Sequence, residues 1–101
     1  MKLLTLTSGA LLTTLVASSG WAEENTKTVC SYGSDTRIIE VVYPEKTAVP
    51  CEVRYTKAEG TEVLWNAQNA IGYCEQKAAE FIQKQEGWGW SCKAETPAKA
   101  E

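Results

Sequence analysis

Four cysteines in a chain of 101 residues, with no C-x-x-C among them, constrain this fold more than any other feature. Cys30, Cys51, Cys74 and Cys92 stand 21, 23 and 18 positions apart. A thioredoxin-like redox site and a zinc ribbon both require close cysteine pairs, and the chain has no histidine to complete a mixed zinc site. An even number of widely spaced cysteines in a short chain reads instead as two structural disulfides. No metal and no cofactor is implied.

The N-terminus points to the compartment in which such bridges form. Met1-Lys2 is a short positive start, Leu3 to Val16 carries no charge, and small residues precede a cut after Ala22. This is the pattern of a secretory signal peptide over residues 1–22. A membrane anchor would need roughly 20 apolar residues, and this run is shorter and diluted by Thr and Ser. A lipoprotein would place a cysteine directly behind the apolar run, whereas Cys30 follows the polar Glu23 to Thr28. The expected setting is periplasmic or secreted. Residues 23–101 make one domain at most and bury too little apolar surface to be comfortable on a core alone. Two disulfides, at roughly 2–4 kcal/mol each, make up the shortfall.

The formal charge is −3, and loss of Lys2 makes the remainder more acidic still. Lys and Arg do not cluster, which argues against nucleic acid as a partner. Beyond the signal peptide no apolar run is long enough to span a bilayer.

Residues 23–27 read as a flexible lead-in to a domain spanning 28–92, with residues 93–101 a disordered tail lacking apolar periodicity. Thr28 to Tyr32 has strand residues, and Gly33-Ser34-Asp35 is a turn that folds the next segment back as a hairpin. Thr36 to Tyr43 is the clearest strand. Ile39, Val41 and Tyr43 share one face, and Ile38 and Val42 make the other fairly apolar as well, so this strand belongs at the centre of a sheet. Pro44 ends it, and a polar loop leads to Cys51, Val53 and Tyr55, which alternate with Glu52, Arg54 and Thr56: a half-buried strand with its cysteine inward. Lys57 to Gly60 is turn chemistry. Thr61 to Trp65 favours a fourth strand on residue type, the alternative being that Thr61 caps a helix already containing Trp65.

Asn66 is a good N-cap. From it a helix is expected, with Ala67, Ala70, Ile71, Cys74, Ala78, Phe81 and Ile82 as its inner stripe. Gly87 stops it, and Trp88, Trp90 and Cys92 alternate with small residues as a short final strand. The expected fold is therefore α+β: a small antiparallel β-meander packed by one C-terminal helix and a short last strand, closed by two disulfides.

Four cysteines allow three pairings. Cys51 lies about 13 Å along its strand from Tyr55, and Asn66 lies about 12 Å along the helix from Cys74. Helix beside strand would bring Cys51 level with Cys74 and leave Cys30 for Cys92. Cys74 with Cys92 is the rival, since a strand returning along the helix also reaches it.

Catalytic signals are poor. Without histidine there is no Ser-His-Asp or Cys-His arrangement, and no Gly-rich loop opens a helix as a phosphate cradle would. Thirteen acidic residues leave a paired-carboxylate hydrolase as an alternative; Glu75 is the nearest candidate, although on a helix it reads as a solvated flank residue. Trp88 and Trp90 read as core packed over a disulfide, the alternative being a ligand platform. Tyr73 is more suggestive, because it projects away from Ile71 and Cys74 beside Asn69 and Lys77. With Trp65 it would form a small amphipathic patch of the kind enriched at interfaces. A lone exposed tyrosine is usually incidental, but Tyr73, Trp65 and Asn69 are the residues at which a partner is expected.

The segments VPCEVRYTK (Val49 to Lys57), LWNAQNAIGYCEQKAAEF (Leu64 to Phe81) and GWGWSC (Gly87 to Cys92) resemble those of a group of small exported proteins of gammaproteobacterial type that carry no assigned activity. The resemblance covers most of Cys30 to Cys92. It implies a Gram-negative periplasmic or secreted setting and brings no site residues with it. The expected function is a non-catalytic binding or inhibitor module directed at another exported protein. A structural or stress-related envelope protein without a discrete ligand is the alternative, followed by the carboxylate hydrolase.

Overall fold

The computed structural model describes residues 22–95, so the expected signal peptide short of Ala22 and the tail from Thr96 lie outside the described residues. Five strands and one helix follow in the order β1 (Thr26–Tyr32), β2 (Asp35–Val42), β3 (Cys51–Lys57), β4 (Gly60–Ala67), α1 (Tyr73–Gly87) and β5 (Ser91–Glu95). The sheet runs β4-β3-β2-β1-β5, antiparallel throughout. The first four strands are a meander. The helix then carries the chain from one edge of the sheet across to the other, where β5 pairs with β1. β2 is the middle strand, as its two apolar faces require: Ile39 and Val41 are buried on the helix side and Val42 on the other.

Register explains the core. Val41 lies opposite Val53, which lies opposite Trp65, and Cys51 lies opposite Ala67. These residues share one face with Cys30 and Ile39, and the helix lays Cys74 and Ala78 on it. Cys51 joins Cys74 (Cα–Cα 6.2 Å) and Cys30 joins Cys92, its direct partner across β1 and β5 (Cα–Cα 4.0 Å). By loop closure, the 62-residue and 23-residue separations correspond to about 4 and about 3.5 kcal/mol.

The fourth strand forms as favoured but runs past its expected end. Asn66 does not cap a helix. It lies opposite Glu52, and Ala67 opposite Cys51, so both stay in the ladder, where pairing with β3 overrides a local capping preference. The helix begins six residues later than expected, at Tyr73. Gly72 precedes it with φ 90°, a left-handed turn that an L side chain adopts only under strain, and its carbonyl accepts the first helical bond from Gln76 (3.1 Å). Ala70 and Ile71 consequently fall outside the inner stripe. Ile71 is 77% exposed, the reverse of the burial its spacing suggested.

The other helix end also differs. Gly87 is its last residue, and the stop is a Schellman motif centred on Gly89. Gly89 N–H donates to the Glu86 carbonyl (3.0 Å) and Trp90 N–H to that of Gln85 (3.1 Å). Gly89 has φ 101°, and a Cβ there would stand 3.1 Å from the Tyr32 ring. Trp88 and Trp90 lie in this turn rather than in a strand, and Trp88 is 60% exposed instead of core. The last strand starts later and reaches Glu95, so Lys93 to Glu95 are ordered by pairing with Val29 to Lys27 although nothing in their composition signals a strand. Thr26 and Lys27, expected in the flexible lead-in, belong to β1.

Candidate interaction surface

The two faces of the sheet differ in character. The face away from the helix carries Glu95, Lys27, Glu40 and Arg54 side by side across four strands, signs alternating, with Arg54 also bonded to Glu52 (2.8 Å). Charges that neutralise one another across strands suit a solvated surface.

The helix side has a different chemistry along its border with β4. Trp65 reaches the helix from β4, and its ring meets Phe81 edge-on at 5.8 Å. Phe81 also meets Tyr55 at 4.8 Å and Trp88 at 6.4 Å. Tyr73 opens the helix and Lys77 follows one turn later, and the Lys77 ammonium sits 5.7 Å from the ring centres of both Trp65 and Tyr73. Two of the three residues singled out in the sequence, Trp65 and Tyr73, are thus brought to one cation. Both are half-buried and pack on the core, so Tyr73 does not project freely outward as its expected helical phase implied. Asn69 is exposed in the β4–α1 connection, as is Ile71.

The surface is therefore amphipathic: edges of Trp65 and Tyr73, a lysine held over them, and the exposed Ile71 and Asn69 leading into Tyr73. A cation over an aromatic face is worth about 0.5–1 kcal/mol at exposed sites, so Lys77 is oriented, and at 3.9 Å from Glu80 Oε1 its ammonium is only loosely paired and keeps N–H groups to donate. Such a surface can take an apolar side chain with an acidic group next to it. Ile71 is the member that sequence reasoning assigned to the core. A signal existed for Ile71, since it directly precedes a glycine and follows three polar or small residues.

Glu75, the carboxylate singled out for catalysis, accepts a hydrogen bond from the Tyr43 hydroxyl. Burial, then the Glu75 bond and charge and the Glu23 charge, push the Tyr43 hydroxyl well above its ordinary value. The contact ties the first helical turn to the end of β2, and Glu75 also suits the positive end of the helix dipole. At the other end Gln85 is 1% exposed; its Oε1 accepts from the Tyr55 hydroxyl (2.8 Å) and, among the described residues, its Nε2 has no hydrogen-bond partner.

No helix among the described residues is long and apolar enough to cross a membrane. No protein-family model, curated protein or solved structure matches the chain.

Proposed function

We propose that this is an exported, non-catalytic binding protein that uses the surface of Trp65, Tyr73, Lys77, Asn69 and Ile71 to hold or inhibit another exported protein. Residues 1–22 direct export and are removed, and the remainder works in the periplasm or outside the cell. Two disulfides in so small a domain support that setting. The observation that carries the reading is the sharing of Lys77 between Trp65 and Tyr73, with an isoleucine two residues before Tyr73 that is 77% exposed. Half-buried aromatics fixed by packing lose little entropy on binding, which is why such residues anchor interfaces. The hydrolase reading gains nothing from Glu75, which is exposed and engaged by Tyr43.

The test uses a partner captured from periplasmic extract and then purified. Its binding is measured by titration against the native chain and against Ile71→Asp, Lys77→Glu and Tyr73→Ala. Each variant is to weaken binding at least tenfold while near-ultraviolet circular dichroism stays native. A saturable partner indifferent to Ile71→Asp and Lys77→Glu, both changes at the periphery of the fold, overturns the assignment of the surface. Absence of any saturable partner overturns the function.

A further inference from the structure

The two edges of the sheet are not equivalent. β4 is interrupted: Val53 faces Trp65 and Arg54 faces Val63, so Leu64 is an unpaired extra residue that bends the outer ladder. β5 is regular, and its pairing with β1 is pinned by the Cys30–Cys92 bridge. Four of its five residues are exposed. The 4.0 Å separation of the Cys30 and Cys92 Cα atoms marks a non-hydrogen-bonded pair. The N–H and C=O groups of Cys92, and two residues on of Ala94, therefore point away from β1 to the open edge.

The charge row on the open face ends at this edge. Reading outward, Arg54, Glu40, Lys27 and Glu95 alternate in sign, and among the described residues no strand lies beyond Glu95. Lys93, two residues earlier on the same face, stands opposite the uncharged Val29. We infer that β5 is the contact for a second copy of this chain, paired antiparallel about a two-fold axis through Ala94.

Charge selects that register. Centred on Ala94, Lys93 of each copy faces Glu95 of the other, and the alternation of signs continues across the axis. Centring on Lys93 places two lysines face to face, which is unfavourable. The Ala94 register is the only one that sets Lys93 against Glu95. It also uses the backbone groups that face outward. The two Ala94 residues exchange a pair of N–H···O=C bonds, and each Lys93–Glu95 couple falls in the closer, non-hydrogen-bonded position. Ala94 on the axis brings no steric obstacle. The result is one continuous sheet with a helix from each copy on the same face, and the surface around Trp65 lies at each distal end, free for a partner.

The experiment is sedimentation equilibrium of the chain purified from an oxidising compartment with both disulfides formed. The native chain is to show a concentration-dependent dimer that weakens with added salt. Lys93→Glu sets two carboxylates face to face at each couple, and Glu95→Lys sets two ammonium groups face to face. Each change alone is to weaken the dimer roughly tenfold or more, as two pairs turn from attraction to repulsion. An equimolar mixture of the two variants restores opposite charges at both couples, and the mixed dimer is to recover near-native affinity. Both substitutions are on exposed side chains, and circular dichroism checks the fold. A native chain that is monomeric up to millimolar concentration overturns the inference. So does a dimer indifferent to either variant, or a mixture that fails to recover.

Discussion

Gln85 gives the most quantitative test of how the helix is held. The residue is 1% exposed, it accepts one bond from Tyr55, and among the described residues its Nε2 has no partner. A buried donor left unsatisfied costs about 1–3 kcal/mol, whereas the Tyr55 bond returns only about 1 kcal/mol. Methionine has nearly the same length and volume and no such donor. Gln85→Met therefore removes the larger unfavourable contribution, and the half-buried Tyr55 hydroxyl can turn to water. The expected net effect is a stabilisation of about 1 kcal/mol, which raises the urea midpoint by about 0.5–1 M and the melting temperature by about 4–8 °C. Tryptophan fluorescence through the unfolding transition measures both. A double-mutant cycle with Tyr55→Phe completes the test: the tyrosine substitution is to cost at least 1 kcal/mol beside Gln85 and almost nothing beside methionine. A Gln85→Met variant destabilised by more than 1 kcal/mol, or a cycle without coupling, refutes this account of the buried amide.

Removing the outer bridge by Cys30→Ser with Cys92→Ser is to cost about 4 kcal/mol, a large part of the roughly 5–15 kcal/mol that holds a domain together; denaturant unfolding of the variant against the native chain measures it. Gly89→Ala, at φ 101° and 3.1 Å from the Tyr32 ring, is to destabilise by about 1–2 kcal/mol, while Gly87→Ala, helical with open space around it, is to stabilise by about 0.5–1 kcal/mol. Equal effects of the two in thermal melts would contradict the assigned helix end. Because the Tyr43 hydroxyl is harder to ionise folded than unfolded, its contribution is intact below pH 10, the ordinary value, and is lost as pH rises above it. Tyr43→Phe is to flatten that alkaline decline, and the tyrosinate absorbance lost in the variant is to be the component that rises above the ordinary value.

Several features were legible because they rest on local pattern. The two apolar faces of Thr36 to Tyr43 foretold a central strand, and the alternation from Cys51 put that cysteine inward. The pairing Cys51–Cys74 and Cys30–Cys92 matches the expected one, although the chain arrives at it by a different path. The residues between Asn66 and Cys74 are a strand end and a turn, not helix. Cys74 comes level with Cys51 because Ala67 faces Cys51 in the ladder and residues 68–72 fold back over it. What was not legible depends on partners distant in sequence. Asn66 offers a cap locally and a ladder position only once β3 is beside it. Lys93 to Glu95 have no strand signature and are ordered by β1. The three-and-four spacing of the helix ran on backward into Ile71, because Gly72 interrupts it by conformation rather than by polarity. The interaction surface was half visible: Trp65 and Tyr73 were singled out, but their junction at Lys77 exists only after the chain folds.

The bridges are nested, Cys51–Cys74 inside Cys30–Cys92. A chain threaded into an oxidising space N-terminus first presents Cys51 when its sole available mate is Cys30. A crosslink between those two would be a wrong one, because β2 separates their strands in the finished sheet. On the proposed export route the inner Cys51–Cys74 bridge can close once Cys74 has emerged, while the enclosing Cys30–Cys92 bridge awaits the last cysteine. Any Cys30–Cys51 crosslink made earlier therefore has to be exchanged before the sheet can close.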